Sequence, residues 1–162
     1  MKYFHFITLS IILLLCSCNN NNEGDLETPL KILSELEPQS TQIDWANMSV
    51  EERHRYPQAG FVINSIDDFP DEPNVNLDDL KLLNIDFSNQ TLLVQYWLIP
   101  GYIKGHRFGW YFSTAEDAYY FRAYFSLIRH EDDESDLFTY YRSAVLVDKI
   151  MPDKKVNFTV SY

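Results

Sequence analysis

Residues 84–110 read NIDFSNQTLLVQYWLIPGYIKGHRFGW, and this stretch decides the fold. From Leu92 to Leu98 every even position is apolar, whereas the odd positions mix apolar side chains with Gln95. A period of two is typical of a β-strand, and here one face is fully apolar and the other partly so. We therefore predict a strand in the middle of a sheet. Pro100 and Gly101 end it, because proline removes a ladder donor and glycine permits a turn.

Other stretches on both sides of this strand also read as strands. Residues 60–64 predict a first strand, and alternation recurs over residues 107–113, 118–128, 137–148 and 156–162. We interpret residues 107–113 as the hairpin partner of the central strand. Short connections without a long crossover favour a mainly antiparallel sheet. The predicted fold class is mainly β (α+β), with a sandwich-like or curled antiparallel sheet and one or two short helices.

Two short helices are predicted before the central strand. Ser49 and Glu52 form a capping-box pattern, which starts a helix that runs to about Tyr56 before Pro57 stops it. Residues 76–83 predict a second helix with acidic residues in its first turn. Between them, residues 65–69 read as a single capped turn.

The N-terminal region is typical of an exported, lipid-anchored protein. Lys2 precedes an apolar run at residues 6–15 that is shorter than the roughly 20 residues of a spanning helix. Cys16, Ser17 and Cys18 then resemble the lipobox of bacterial lipoproteins, in which the cysteine after a small residue is acylated. We expect lipidation at Cys18; the alternative is an ordinary secretory signal.

This interpretation divides the chain into three parts. Residues 1–17 are the lipoprotein signal peptide, residues 18–42 a lipidated tether, and residues 43–162 a single β-rich globular domain. Within the tether, leucines at a spacing of three predict a short amphipathic helix over residues 26–36.

Charge limits the class of partner. The chain has 24 acidic against 13 basic residues and a net charge of −11. Such a surface repels nucleic acid and anionic lipid head groups. We therefore expect no nucleic-acid partner, and membrane attachment through the N-terminal lipid alone. The expected location is the cell envelope, at the outer membrane, in its periplasmic leaflet or at the cell surface.

Four short motifs resemble a known family. Residues 61–69 (FVINSIDDF), 86–88 (DFS), 92–94 (LLV) and 100–102 (PGY) occur in the order found in the PrcB-like C-terminal (protease-complex-type) family of small Gram-negative lipoproteins. The resemblance extends over about residues 59–160, although the family's usual Gly-Gly-Tyr is Pro-Gly-Tyr here. It implies a binding or complex-stabilising module that helps a protease, with no catalytic residues to transfer.

No motif specifies a reaction. The chain lacks Gly-x-Ser-x-Gly, and His54, His106 and His130 do not stand at metal-ligand spacing. We predict neither enzyme, cofactor nor metal site; a hydrolase with an unrecognised site is the alternative. Residues 130–136 are acidic but lack the glycine of a calcium loop, and we interpret them as a hairpin tip.

Two groups of residues are candidates for binding. Tyr111, Tyr120 and Tyr124 fall on the more polar strand face with Arg107 and Arg122. Aromatic rings in such a position suit a glycan or a protein partner.

The second group is Tyr102, Lys104 and His106, in a loop predicted over residues 100–106. A loop that follows a buried strand has a rigid base, which favours recognition. A deep pocket that holds His106 or His130 beside a carboxylate would favour the hydrolase, whereas a shallow aromatic patch would favour binding.

Overall fold

The computed structural model describes residues 27–72, 74–128 and 137–162, which form a two-sheet β-sandwich. In chain order its strands are β1 (Glu27–Leu30), β2 (Ile32–Glu35), β3 (Gln39–Asp44), β4 (Gly60–Ile63), β5 (Gln90–Pro100), β6 (Tyr102–Ser113), β7 (Ala118–Ile128), β8 (Leu137–Asp148) and β9 (Lys155–Ser161). Two short α-helices, α1 (Val50–Arg53) and α2 (Asp78–Lys81), and a 3₁₀ turn (Ile66–Asp68) precede β5.

The two sheets differ in size and composition. Sheet A has the order β1-β6-β7-β9. Sheet B has the order β2-β8-β5-β4, and β3 pairs with β8 beside β2. Every pairing is antiparallel except that of β7 with β9, which is parallel. The prediction of a mainly β, antiparallel fold with short helices is confirmed, in its sandwich form.

The main core lies between the sheets. Leu93, Trp97 and Val145 of sheet B meet Trp110 and Phe121 of sheet A, and all five side chains are buried. These residues occupy alternate positions of their strands, as the period of two requires.

A second apolar cluster covers the other face of sheet B. Leu92 and Val94 of β5 pack there against Leu77 and Leu80 at α2 and against Ile63 of β4. Sheet B therefore has apolar layers on both sides, and β5 is buried along both of its faces. The described helices belong to this layer and not to sheet A.

Tight turns bound β5 at both ends. At its start, the Asp86 carboxylate accepts hydrogen bonds from the Ser88 amide at 3.1 Å and the Asn89 side chain at 2.8 Å. At its end, Gly101 adopts a φ of 81°, which favours glycine. The Gly101 amide donates to Leu137 O at 2.9 Å, and its carbonyl accepts from Thr139 Oγ1 at 2.6 Å. This corner carries the chain from sheet B into sheet A.

The predicted helix over residues 26–36 is wrong. β1 pairs with β6 in sheet A, and β2 pairs with β8 in sheet B. Pro29 lies in edge strand β1, where a missing N–H is tolerated. The chain that was assigned to the tether from residue 27 onward thus lies within the sandwich, because edge pairing outweighs a weak leucine spacing.

Two predictions around residue 100 are also wrong. β5 pairs with β4 and β8, so β6 is not its hairpin partner. Residues 102–106 form the first part of β6 instead of a loop, and they pair with β7 through a bulge between Ile103 and Gly105. The turn at Gly101 explains both differences. It needs only one residue, so β6 begins at Tyr102, and it carries the chain into the other sheet, so β6 does not pair with β5.

The capping box at Ser49 is confirmed: the Ser49 side chain accepts from the Glu52 amide at 3.2 Å, and Glu52 accepts from the Ser49 amide at 2.8 Å. Both helices are shorter than predicted. The acidic segment at residues 130–136, including His130, lies outside the described residues.

Replacing Leu93 with alanine tests the inter-sheet core. Leu93 is 0% exposed, so Leu93→Ala should lower the free energy of unfolding by about 2–5 kcal/mol through lost burial and a residual cavity. Leu82, which is 87% exposed, supplies the control, and Leu82→Ala should change it by less than about 0.5 kcal/mol. Urea unfolding measures both, and equal effects would contradict this core.

Candidate functional site

The outer face of sheet A carries the predicted tyrosines together. Opposite pairs in the β6–β7 register are Tyr111 with Tyr120 and Arg107 with Tyr124, and Arg122 faces Gly109. Directly opposite residues point to the same side of a sheet. We call Arg107, Tyr111, Tyr120, Arg122 and Tyr124 the tyrosine–arginine face. The predicted co-location of these five residues is confirmed; the prediction that they bind a partner stays a prediction.

The two arginines lie over the rings. The Arg107 guanidinium lies 4.3 Å from the centroid of the Tyr124 ring. That of Arg122 lies 5.2 Å from the centroids of both Tyr111 and Tyr120. Such contacts hold planar groups in fixed positions, so the rings form an ordered surface.

Arg122 is also paired with a carboxylate. Both of its terminal nitrogens donate to Glu27 of β1, and the Nη1–Oε2 distance is 2.6 Å. The hydrogen bonds to Glu27 raise the pKa of Arg122 above its ordinary value. The positive charge of Arg122 is therefore largely neutralised by Glu27, and this ion pair joins β1 to β7.

The Tyr111 ring lies flat on the sheet. A Cβ at Gly109 would lie 2.4 Å from the nearest atom of the Tyr111 ring, so only glycine leaves room for it. A hydrogen bond with the Tyr124 side chain is the main cause that raises the pKa of Tyr111. Tyr111 is thus held as a neutral hydroxyl group.

A hollow of about 310 Å³ adjoins Arg107 and Tyr124 on this face. It exists because Gly105 and Ser126, which face each other in the register, have small side chains. Among the described residues, no carboxylate lies within ion-pair distance of Arg107. The hollow therefore joins an aromatic ring, a small hydroxyl group and a cation that no described carboxylate neutralises.

The structure does not bring Tyr102, Lys104 and His106 into one cluster. Tyr102 begins β6 opposite Ile128, and Lys104 lies at the bulge. The side chain of His106 is directed toward sheet B, where its Nδ1 lies 3.1 Å from the Tyr141 hydroxyl group. The proposed binding loop is thus three strand positions with different surroundings.

His106 also lies near a carboxylate. Its Nε2 is 4.0 Å from Glu35 Oε2, and burial raises the pKa of Tyr141 on its other side. Of the residues that the structure describes, no carboxylate side chain lines the hollow that His106 borders. The described residues contain no group of three or more side chains that could hold a metal ion. The alternative of a hydrolase therefore stays a prediction.

A buried arginine in β8 was missed by the sequence analysis. Arg142 is only 3% exposed, and its terminal nitrogens donate to Asp79 at 2.8 and 2.5 Å and to Asn76 O at 3.1 Å. Its Nε has no hydrogen-bond partner among the described residues. The one signal in the sequence was an arginine inside a strand that is otherwise buried.

Arg142 borders a second hollow, of about 240 Å³, on the helical side of sheet B. Three tyrosines, Tyr56, Tyr96 and Tyr140, form much of its lining together with Arg142. Exposed polar residues surround them. This hollow is on the opposite side of the sandwich from the tyrosine–arginine face.

Comparisons with known proteins found no match: no protein-family model, no curated protein and no solved structure matches this chain. The resemblance to the PrcB-like family thus stays a prediction. Within the part of the chain that the structure describes, no helix is both long and apolar enough to cross a membrane.

The ion pair between Asp79 and Arg142 gives a prediction about pH. Hydrogen bonds from Arg142 lower the pKa of Asp79 below its ordinary value of 3.8. A lowered pKa stabilises the fold above the ordinary value, and this contribution is lost as the pH falls through the folded-state value. At pH 7, Asp79→Asn should lower the free energy of unfolding by about 1–3 kcal/mol, less than for a fully buried pair because Asp79 is half-exposed.

Urea unfolding at several pH values measures this effect. The difference between the parent and Asp79→Asn should shrink below about pH 4. Asp78→Asn is the matched control, because the Asp78 side chain is 80% exposed and pairs only with Lys81 among the described residues. A difference that stayed constant down to low pH would contradict this assignment.

Proposed function

We propose that this chain is a non-catalytic binding module that docks a partner protein on the tyrosine–arginine face of sheet A. The observation that carries the proposal is the ordered group of three tyrosines and two arginines on one sheet face. Tyrosine and arginine are enriched among the residues that contribute most to protein interfaces, because they combine large apolar area with polar contacts.

The order of this surface supports binding in a second way. Rings held by cation–π contacts and by the sheet lose little conformational freedom when a partner docks. The face lies on the sheet that the described helices do not cover. Tyrosines and arginines on two paired strands therefore form a surface that needs little rearrangement when a partner docks.

The charge distribution favours an acidic group on the partner. Arg107 carries a positive charge without a neighbouring carboxylate among the described residues, in a chain with a net charge of −11. A carboxylate seated in the 310 Å³ hollow would meet Arg107 beside Tyr124. We infer that the partner presents an aspartate or glutamate at this position.

One observation favours a glycan as the second candidate. The flat Tyr111 ring over Gly109 leaves an aromatic surface on the outside of the sheet, which suits the apolar face of a sugar. The partner protein remains the first candidate, because it also accounts for the charge of Arg107.

The cellular setting belongs to the proposal as well. We infer acylation at Cys18 and a place in the cell envelope from the lipobox pattern. Together with the PrcB-like resemblance, this suggests that the module stabilises a protease or another envelope complex. Such an anchor would keep the tyrosine–arginine face close to a membrane-bound partner.

Site-specific photo-crosslinking in cells tests the docking face. Thr159 of β9 is exposed and faces the same side as Arg122, so a photoreactive residue there should cross-link one predominant protein. The same residue at Leu82, on the other side of the sandwich, serves as the control and should not capture that protein. Equal capture from both positions would argue against this face.

The affinity of the chain for the cross-linked partner then tests the two residues that line the hollow. Arg107→Ala with Tyr124→Ala should weaken binding by more than about tenfold, because both groups line the hollow. Arg55→Ala, an exposed arginine outside sheet A, should leave the affinity unchanged. A double variant that binds as tightly as the parent would contradict the proposed role.

Labelling with a fatty-acid analogue tests the anchor. Cys18→Ala should abolish the label, since Cys18 is the expected acylation site, whereas Cys16→Ala should retain it. Persistent labelling of the Cys18→Ala chain would show that the lipid is attached elsewhere.

A further inference from the structure

We propose that the 240 Å³ hollow at Arg142 binds a single neutral sugar ring. Ligand pockets for drug-sized molecules occupy about 300–1,000 Å³, so this hollow suits a smaller ligand. It lies on sheet B, away from the tyrosine–arginine face. The inference does not depend on the proposed function.

The floor of the hollow is aromatic and rigid. The rings of Tyr96 and Tyr140 stack at 5.5 Å with an interplanar angle of 19°, and Tyr56 meets Tyr140 edge-on at 5.0 Å. The Tyr96 hydroxyl group donates to Asn76 O at 3.0 Å, and that of Tyr140 donates to Pro57 O at 2.8 Å. Burial raises the pKa of both tyrosines, so they stay neutral. Aromatic surface of this kind suits the C–H groups of a sugar ring.

The rim supplies hydrogen-bonding groups for hydroxyls. Gln39 and Thr41 of β3 pair with Arg142 and Tyr140, so their side chains point to the same side of sheet B. Both are exposed, as is Asn76. Gln39 donates its amide to Asp79, which leaves its oxygen as an acceptor. The side-chain oxygen of Asn76 accepts from the Asp78 amide, which leaves its two N–H groups as donors.

The charges at this hollow favour a neutral ligand over an anion. Arg142 is held by both oxygens of Asp79, so the pair has no net charge. An anionic ligand would have to displace Asp79 or approach it in an acidic chain. Hydroxyl groups avoid this cost, because each can donate to a carboxylate and accept from an amide.

The buried Arg142 organises the polar edge of the hollow. A charged side chain that is 97% hidden, with an Nε atom that no described residue satisfies, costs stability. A group of this kind is retained where it holds neighbouring polar groups in place. Here it fixes the backbone oxygen of Asn76 and the carboxylate of Asp79 at the edge of the hollow.

Titration with simple glycosides tests the inference. The full-length chain, in a detergent that contains no sugar, is titrated with the methyl glycosides of glucose, galactose, mannose and N-acetylglucosamine. Saturation-transfer NMR should detect at least one of them, with a dissociation constant of about 1–10 mM, as expected for one ring. The methyl glycoside of glucuronic acid should bind more weakly. The absence of any neutral binder, or tighter binding of the glucuronide, would overturn the inference.

Variants locate the binding. Gln39→Ala with Thr41→Val removes exposed rim groups and should weaken binding by about tenfold or more, the effect of losing one or two hydrogen bonds. Thr159→Val, at an exposed position of β9 in sheet A, is the matched control and should bind as the parent does. The reverse pattern would overturn the inference and favour a glycan site on sheet A.

Amide chemical-shift mapping uses the parent chain alone, so its result does not depend on whether a variant folds. Addition of the bound glycoside should shift the amide signals of residues 39–41 and 74–76. Shifts confined to β6 and β7 would overturn the inference.

Discussion

The burial of β5 on both faces is the constraint from which the other layers follow. Every side chain from Thr91 to Trp97 is buried, so the strand needs an apolar layer on each side. Sheet A supplies one, and the segment around Leu77 and Leu80 supplies the other. Sheet A thereby uses one face for the core, and the described helices are already engaged on sheet B. The outer face of sheet A is left to side chains that can meet water or a partner, and there the tyrosines and arginines lie.

Two buried polar atoms, Gln95 Oε1 and Arg142 Nε, have no hydrogen-bond partner among the described residues. Gln95 Oε1 lies between the sheets. A Cβ at Gly60 would come within 2.3 Å of this oxygen, so the Gln95 amide packs closely against the glycine. Its neighbours are satisfied: Trp97 Nε1 donates to Ser143 Oγ at 3.0 Å, and Ser143 Oγ donates to the Gln95 carbonyl at 3.3 Å. Arg142 Nε is different, because its side chain borders an open hollow. The cost of about 1–3 kcal/mol for an unsatisfied polar group is thus a packing compromise at Gln95, whereas at Arg142 it accompanies the ion pair with Asp79.

The sequence predicted those parts of the fold that depend on local periodicity. The ranges of β7 and β8, and the inward face of Trp110, follow from alternation alone, because the side-chain period of a strand is two. The N-terminal strands β1 and β2 could not be found in this way, since four-residue edge strands gain their stability from pairing with β6 and β8. The same limit applies to the sites. The tyrosine–arginine face comes from two consecutive strands, whereas the Arg142 hollow joins segments near residues 40, 56, 75, 96 and 140 that only the complete fold brings together.

The three arginines of the sheets differ in what neutralises them, and this difference indicates their roles. Arg122 holds β1 on sheet A through Glu27, and Arg142 holds α2 on sheet B through Asp79. In each case a charge on a central strand secures a short peripheral element. Arg107 has an equivalent place on β6, but it contacts the Tyr124 ring and no carboxylate among the described residues. An arginine beside a hollow, with no carboxylate partner among the described residues, is therefore the group on which the proposed docking of an acidic partner depends.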